Sequence, residues 1–144
     1  MKTNDHDSRP YQNHNQHQRE HQHEPPQTFP FPHHRLKAYQ YSLELAKSSK
    51  ALAKRIPRGH RDLADHISRA SSSVVLNLSE GANRFSPGDK RQCFRRAQGE
   101  CGEVAAAAEL AAVLELVRAQ DAHACICIAG RVSAMLTGLI KRLT

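Results

Sequence analysis

From Leu36 onward, apolar residues return at intervals of three and four, the spacing that lines up one face of an α-helix. Leu36, Tyr39, Leu43 and Ala46 form one such row, with Leu45, Leu52 and Ile56 beside it. Pro57 and Gly59 then predict the end of this first helix. A second begins near Asp62 and carries Leu63, Ile67, Ala70, Val74 and Leu78. The third opens at Ser86-Pro87-Gly88-Asp89. There serine suits the N-cap, proline the first helical position, and aspartate the acid of a capping-box-like pair. Phe94, Ala97, Cys101, Val104, Ala108 and Ala111 continue it, and the pattern predicts helix to the neighbourhood of Val117. Asp121 is expected to cap a fourth helix with the row Cys125, Ile128, Val132, Met135, Leu139 and Leu143. No strand-like alternation bounded by turn signals interrupts the series. Four helices with short connections predict an all-α, antiparallel up-down-up-down four-helix bundle over residues 35–144.

Residues 1–34 have a different texture. They hold seven of the ten histidines and five of the seven prolines, with many Gln and Asn and almost no aliphatic side chain. Such a composition buries too little apolar surface to offset its ordering entropy, so this His/Gln/Pro-rich tail is expected to be disordered. His14, His17, His21, His23, His33 and His34 suggest metal binding, but nothing in the tail fixes their geometry, and no metal or other cofactor is expected.

Length bounds the chain to a single domain with a modest core. No run of 18 or more apolar residues is present, and the polar start MKTNDHDSRP has no apolar stretch of the secretory kind. No membrane association is therefore expected. Cys93, Cys101, Cys125 and Cys127 are too sparse for a disulfide framework, which favours a cytoplasmic setting. The net charge of +7 is uneven: residues 1–34 carry three Lys/Arg against four Asp/Glu, leaving eighteen against ten for residues 35–144. A body of that sign suits anionic partners, RNA or DNA or an acidic protein surface.

On a helical wheel the second helix separates into three faces. Leu63, Ile67, Ala70, Val74 and Leu78 form the core stripe. Ala64, Ser68, Ser71, Val75, Ser79 and Ala82 form a face of small residues that another backbone could approach closely. Between them lie Arg69, Ser73, Asn77, Glu80 and Arg84, joined by His66. This polar row is either a packing device fixing the register of the bundle or a surface that presents Arg69 and Arg84 to a partner.

The same residues resemble a known signature. Ser68 to Ser73 (SRASSS), Asn77-Leu78-Ser79-Glu80-Gly81 and Arg84 resemble the RAA-S-I-x-x-N-I-A-E-G-x-x-R pattern of the four helix bundle protein family. That family includes proteins encoded within intervening sequences of bacterial 23S ribosomal RNA genes, and it is related to the accessory variability protein of diversity-generating retroelements. The resemblance runs from Leu36 to Leu143 and takes in LKAYQYSLELAKSSKALAKRIP, Lys90, Phe94 and Glu103. Val75 stands where the family often has proline, Ser79 stands where it has alanine, and the tail has no counterpart. What the resemblance implies is an antiparallel four-helix subunit, commonly a homopentamer. Retroelement relatives bind nucleic acid and a reverse transcriptase through a basic surface, which makes an accessory role to such an enzyme one alternative.

The residues bear on both implications independently. VAAAAELAAVLELV, residues 104–117, is apolar nearly all round, and Leu110, Val113, Leu114 and Val117 lie opposite the core row. An apolar back on a surface helix points to a homo-oligomer interface. In an up-down-up-down bundle the second loop and both ends of residues 35–144 share one pole. Lys90, Arg91, Arg95, Arg96, Lys141 and Arg142 gather there as candidate phosphate contacts. Tyr and Phe are few and fall mostly at core positions, so base stacking is not indicated. Catalysis is not expected. Six residues separate Gly81 from Gly88, where a Walker loop has four followed by Gly-Lys-Ser/Thr. Cys125 and Cys127 do not form Cys-x-x-Cys, and Cys93 and Cys101 suit small packing sites. Glu100 and Glu103 have no evident partner acid or base, and no small-molecule substrate is indicated. The expected protein is a non-enzymatic, ring-forming bundle that binds nucleic acid or a ribonucleoprotein, the rival being a scaffold for protein partners alone.

Overall fold

The computed structural model describes residues 31–144. Four helices account for most of them: α1 (Lys37–Arg55), α2 (Arg61–Asn83), α3 (Pro87–Val113) and α4 (Ala119–Lys141). Short 3-10 turns occupy Pro32–Arg35 and Arg58–His60. Each helix packs against the next, and α1 closes against α4, which gives a square antiparallel bundle. The α2–α3 and α3–α4 seams are the most extensive.

Much of the core follows the apolar rows. Ile67, Ala70, Val74 and Leu78 of α2 are buried, as are Phe94, Ala97, Cys101, Val104, Ala108 and Ala111 of α3. In α4 the buried line is Ala122, Cys125, Ala129, Val132 and Leu136, with Ile128, Met135 and Leu139 half-buried beside it. α1 departs from expectation. Its buried row is Ala38, Ser42, Leu45, Ser49 and Leu52, whereas Leu43 is nearly half exposed. Serine is tolerated in this row because each hydroxyl finds a partner. Ser42 Oγ donates to the Tyr39 carbonyl at 2.6 Å, and Ser49 Oγ meets Cys125 Sγ at 3.5 Å.

Helix boundaries show what local chemistry decides. Ser86 caps α3 as expected, its Oγ accepting from the Asp89 amide at 3.1 Å with Pro87 in the first turn. α3 ends at Val113, four residues short of expectation. The Leu116 amide donates to the Ala111 carbonyl and the Glu115 amide to Ala112, while Glu115 takes φ 56°. This is a Schellman stop with glutamate where glycine is usual. It turns Leu116 and Val117 back onto the core, so Val117 is half-buried there and does not join the exposed apolar face. α4 begins at Ala119, and Asp121 is its third residue, not its cap. The Asp121 carboxylate instead accepts from Arg118 Nε at 2.9 Å and from Arg55 Nη1 at 2.6 Å, tying the end of α1 to the start of α4. These guanidinium bonds hold the Asp121 carboxyl below the usual carboxylate range, against a partial desolvation.

The ordered body starts earlier than Arg35. Residues 31–34, assigned by composition to the tail, belong to the fold through the first 3-10 turn; the expectation of disorder for residues 1–30 lies outside the described residues. α4 is by length and mean hydropathy able to cross a membrane, a property that the shorter unbroken apolar runs of the sequence had seemed to exclude. In the bundle it places its Ala122–Leu136 row in the core.

Candidate functional site

The polar row of α2 lies along the seam with α3. His66 Nε2 approaches Glu103 Oε2 at 3.3 Å, and Arg69 Nη2 approaches His66 Nδ1 at 3.1 Å. Because a guanidinium can only donate, His66 Nδ1 accepts from Arg69 and Nε2–H points to the carboxylate. One turn further, Ser73 Oγ donates to Glu100 Oε1 at 3.1 Å. Asn77 Nδ2 donates to the Ser73 carbonyl at 2.9 Å and lies 3.0 Å from its hydroxyl. The row ends in an ion pair between Arg84 and Glu80. Arg84's hydrogen bond and charge lower the Glu80 pKa, and the same pair raises that of Arg84. Glu100 and Glu103, which had no evident partner in the sequence, are thus the α3 half of this network. Ser73 and Asn77 are half-buried, while Arg69, Glu80 and Arg84 are exposed. The centre of the row joins two helices and its two ends face outward.

Gly81 interrupts the row where the seam is tightest. A Cβ built there would meet Phe94 Cε1 at 2.7 Å and Cys93 Cβ at 3.0 Å, so only glycine lets the α3 side chains sit this close. Cys93, Cys101 and Cys125 are buried free thiols, and burial pushes the Cys101 thiol up to about 12. Cys127 is exposed beside His123. Among the described residues no cluster of three metal-ligating side chains occurs.

The pole formed by the α2–α3 turn and both ends of the body gathers the expected cations, but they divide into two groups. Lys90 Nζ donates to the Ala82 carbonyl at 3.1 Å, and Arg91 Nη1 donates to the Leu143 carbonyl at 3.2 Å. Lys90 thereby satisfies a carbonyl of the last turn of α2 and opposes the negative end of its dipole, and Arg91 ties down the chain just past the end of α4. Arg95, Arg96, Lys141 and Arg142 are exposed, and among the described residues no carboxylate lies within ion-pair distance of them, although the charge of Arg96 helps to lower the Glu80 pKa. Arg91, Arg95 and Arg96 line one shallow depression on the first turns of α3 together with Asp89 and Gln92. Phe85 adds a residue that the sequence reading passed over: it is 100 % exposed in the turn between Arg84 and Ser86. Its position two residues past the end of α2, inside a turn, was the available signal.

On the opposite half of α3, Leu110, Val113 and Leu114 are exposed together, at 47, 77 and 50 %. Exposed aliphatic side chains at this spacing make one apolar patch on the outside of the bundle.

Fold and seam together define an antiparallel four-helix bundle with a polar α2–α3 seam and a basic pole. The family model described as 23S rRNA-intervening sequence protein matches residues 34–138. The chain belongs to that family. Among solved structures, the fold is similar to the crystal structure of a protein of unknown function from the S23 ribosomal protein family of Bacteroides thetaiotaomicron. The two share 21 % identity and a TM-score of 0.67 over 72 % of this chain and 95 % of that one. No curated protein matches the chain.

Proposed function

We propose that this protein is a non-enzymatic nucleic-acid- or ribonucleoprotein-binding bundle of the cytoplasm that works as a ring-like homo-oligomer. The observation that carries the reading is the group of exposed cations at one pole, Arg95, Arg96, Lys141 and Arg142, none in an ion pair with a carboxylate of the described residues, beside the fully exposed Phe85. Unpaired cations on a compact body suit phosphate, whose neutralisation releases counterions. Repetition of the pole around a ring would align several such patches.

A salt titration of RNA and duplex DNA binding tests it. Binding at low salt with a steep salt dependence is expected, and for duplex DNA each phosphate contact removed reduces the slope by about 0.9. The informative variants are Arg95→Ala, Arg96→Ala, Lys141→Ala and Arg142→Ala, because Lys90 and Arg91 also tie helix ends together. Absence of binding at low salt would sink this half of the proposal.

The scaffold reading is favoured by the Leu110–Val113–Leu114 patch, which also supports self-association. Light scattering on the wild type and on Val113→Glu/Leu114→Glu separates the two. Self-association requires an oligomer that the variant dissociates, and a wild-type monomer at micromolar concentration argues against the ring. An accessory role to a reverse transcriptase rests on the family resemblance alone.

A further inference from the structure

The basic pole contains more than charge. Two adjacent depressions of about 420 and 400 Å³ share Arg35, Leu36, Leu139 and Arg142, and so form one trough with two lobes. Volumes of this order lie within the range of small-molecule pockets, about 300–1,000 Å³. One lobe is floored by Ala82, Phe94 and Leu143, the other by Ala38 and Met135. Lys90 and Lys37 also line it, one in each lobe, and among the described residues no acidic side chain lines either lobe.

The cations of the trough are not equivalent. Lys90 is committed to the Ala82 carbonyl, and its neighbour Arg91 to Leu143. Lys90 thus meets the negative end of α2 and Arg91 a carbonyl just past α4, whereas Arg35 and Arg142, which line both lobes, face no acidic side chain among the described lining residues. Apart from these cations, the side chains lining the trough are hydrocarbon or thioether. Among the described residues a nucleobase would find no acceptor side chain for its amino group beyond the weak thioether of Met135, whereas an aliphatic chain needs none.

We propose that this trough binds a small anionic amphiphile: a carboxylate on an aliphatic chain, its head group between Arg35 and Arg142 and its chain over Leu36 and Leu139. The inference goes beyond nucleic-acid binding and does not rest on it, although Arg142 belongs to both surfaces. Head-group recognition is a charge-assisted hydrogen bond to guanidinium. Chain recognition is burial of methylenes, which gains up to about fourfold in affinity for each one fully removed from water.

The test is isothermal titration calorimetry of the full chain with octanoate, decanoate and dodecanoate, each below its micelle concentration and with no nucleic acid present. Saturable binding that tightens about two- to fourfold per methylene is expected. Arg35→Gln/Arg142→Gln should weaken it about tenfold. Gly138→Leu fills the second lobe, where an added Cβ meets nothing within 4 Å. It should erase the gain from octanoate to dodecanoate and leave the fold intact. Equal binding of decyltrimethylammonium, indifference to chain length, or full affinity in the double Arg variant would overturn the proposal. Binding only to anionic phosphatidylglycerol vesicles, and not to the monomeric carboxylates, would overturn it too. Loss of RNA binding in a separate assay leaves these readings unchanged, so the two proposals fail independently.

Discussion

The side-chain amide of Asn83 has two hydrogens, and both are placed. Nδ2 donates to the Ser79 carbonyl at 2.7 Å and reaches His33 Nδ1 at 3.0 Å, where Ser79 Oγ also approaches at 3.1 Å. His33 Nδ1 must therefore be bare, and the imidazole neutral with its proton on Nε2. Partial desolvation and the neighbouring His34 lower the His33 pKa in the same sense. Around the ring stand Phe31, His34 and Tyr39, with Ser79 and Asn83 at Nδ1, and no carboxylate of the described residues is among these contacts. The sign follows from linkage. The unfolded imidazole binds a proton first, so His33's contribution is complete above about 6.5 and declines as pH falls from there through the lower folded value. Amide protection in residues 32–36, corrected for intrinsic exchange, should fall between pH 7.5 and 5.5. His33→Gln should flatten that response, and an identical response in the variant would refute the assignment. Glu115 offers a second test at this scale. Held at φ 56°, it carries the left-handed strain that glycine avoids. Glu115→Gly should raise stability by about 1 kcal/mol in urea denaturation, whereas Glu115→Ala should not.

Between elements, the α2–α3 seam illustrates what was legible in the sequence and what was not. Periodicity identified the core stripe of α2 and grouped Arg69, Ser73, Asn77, Glu80 and Arg84 on one side of it. It could not name their partners, because Glu100 and Glu103 meet the row only once the antiparallel register is set. The core serines of α1 escaped for a related reason: Ser49 is buried against Cys125, 76 positions away, and its polarity concealed its place in the row. The early end of α3 escaped because Glu115 does a job for which glycine is the usual signal. Gly81 makes the seam's closeness measurable. Gly81→Ala should destabilise the bundle by about 1–3 kcal/mol through overpacking against Phe94. Gly99→Ala, on an exposed α3 position with open space around its Cβ, should stabilise it by about 0.5–1 kcal/mol. If both glycines respond alike in chemical denaturation, the close approach is not what selects glycine at 81.

Across the whole molecule, the pole assignment came from topology alone, since four antiparallel helices must return both ends of the body to the α2–α3 turn. The division of labour among its cations did not, because Lys90 and Arg91 face helix carbonyls only in the folded bundle. Phe85 sharpens the nucleic-acid reading toward unpaired strands. An exposed ring beside cations can stack on a base that has left its helix, a contact worth about 1–3 kcal/mol. Phe85→Ala should weaken single-stranded RNA at least about fivefold and duplex DNA little, as read by fluorescence anisotropy at fixed salt. Equal losses on both would reduce Phe85 to a spacer. The arrangement of the pole also has a practical side. Residues 31–35 and 142–144 both abut it, so a fluorescent protein or affinity handle fused just outside either one would shadow the surface under test. The turn at Gly59 lies at the far end, exposed and with nothing within 4 Å of an added Cβ. A label inserted there would report on the molecule from the side that leaves the basic pole open.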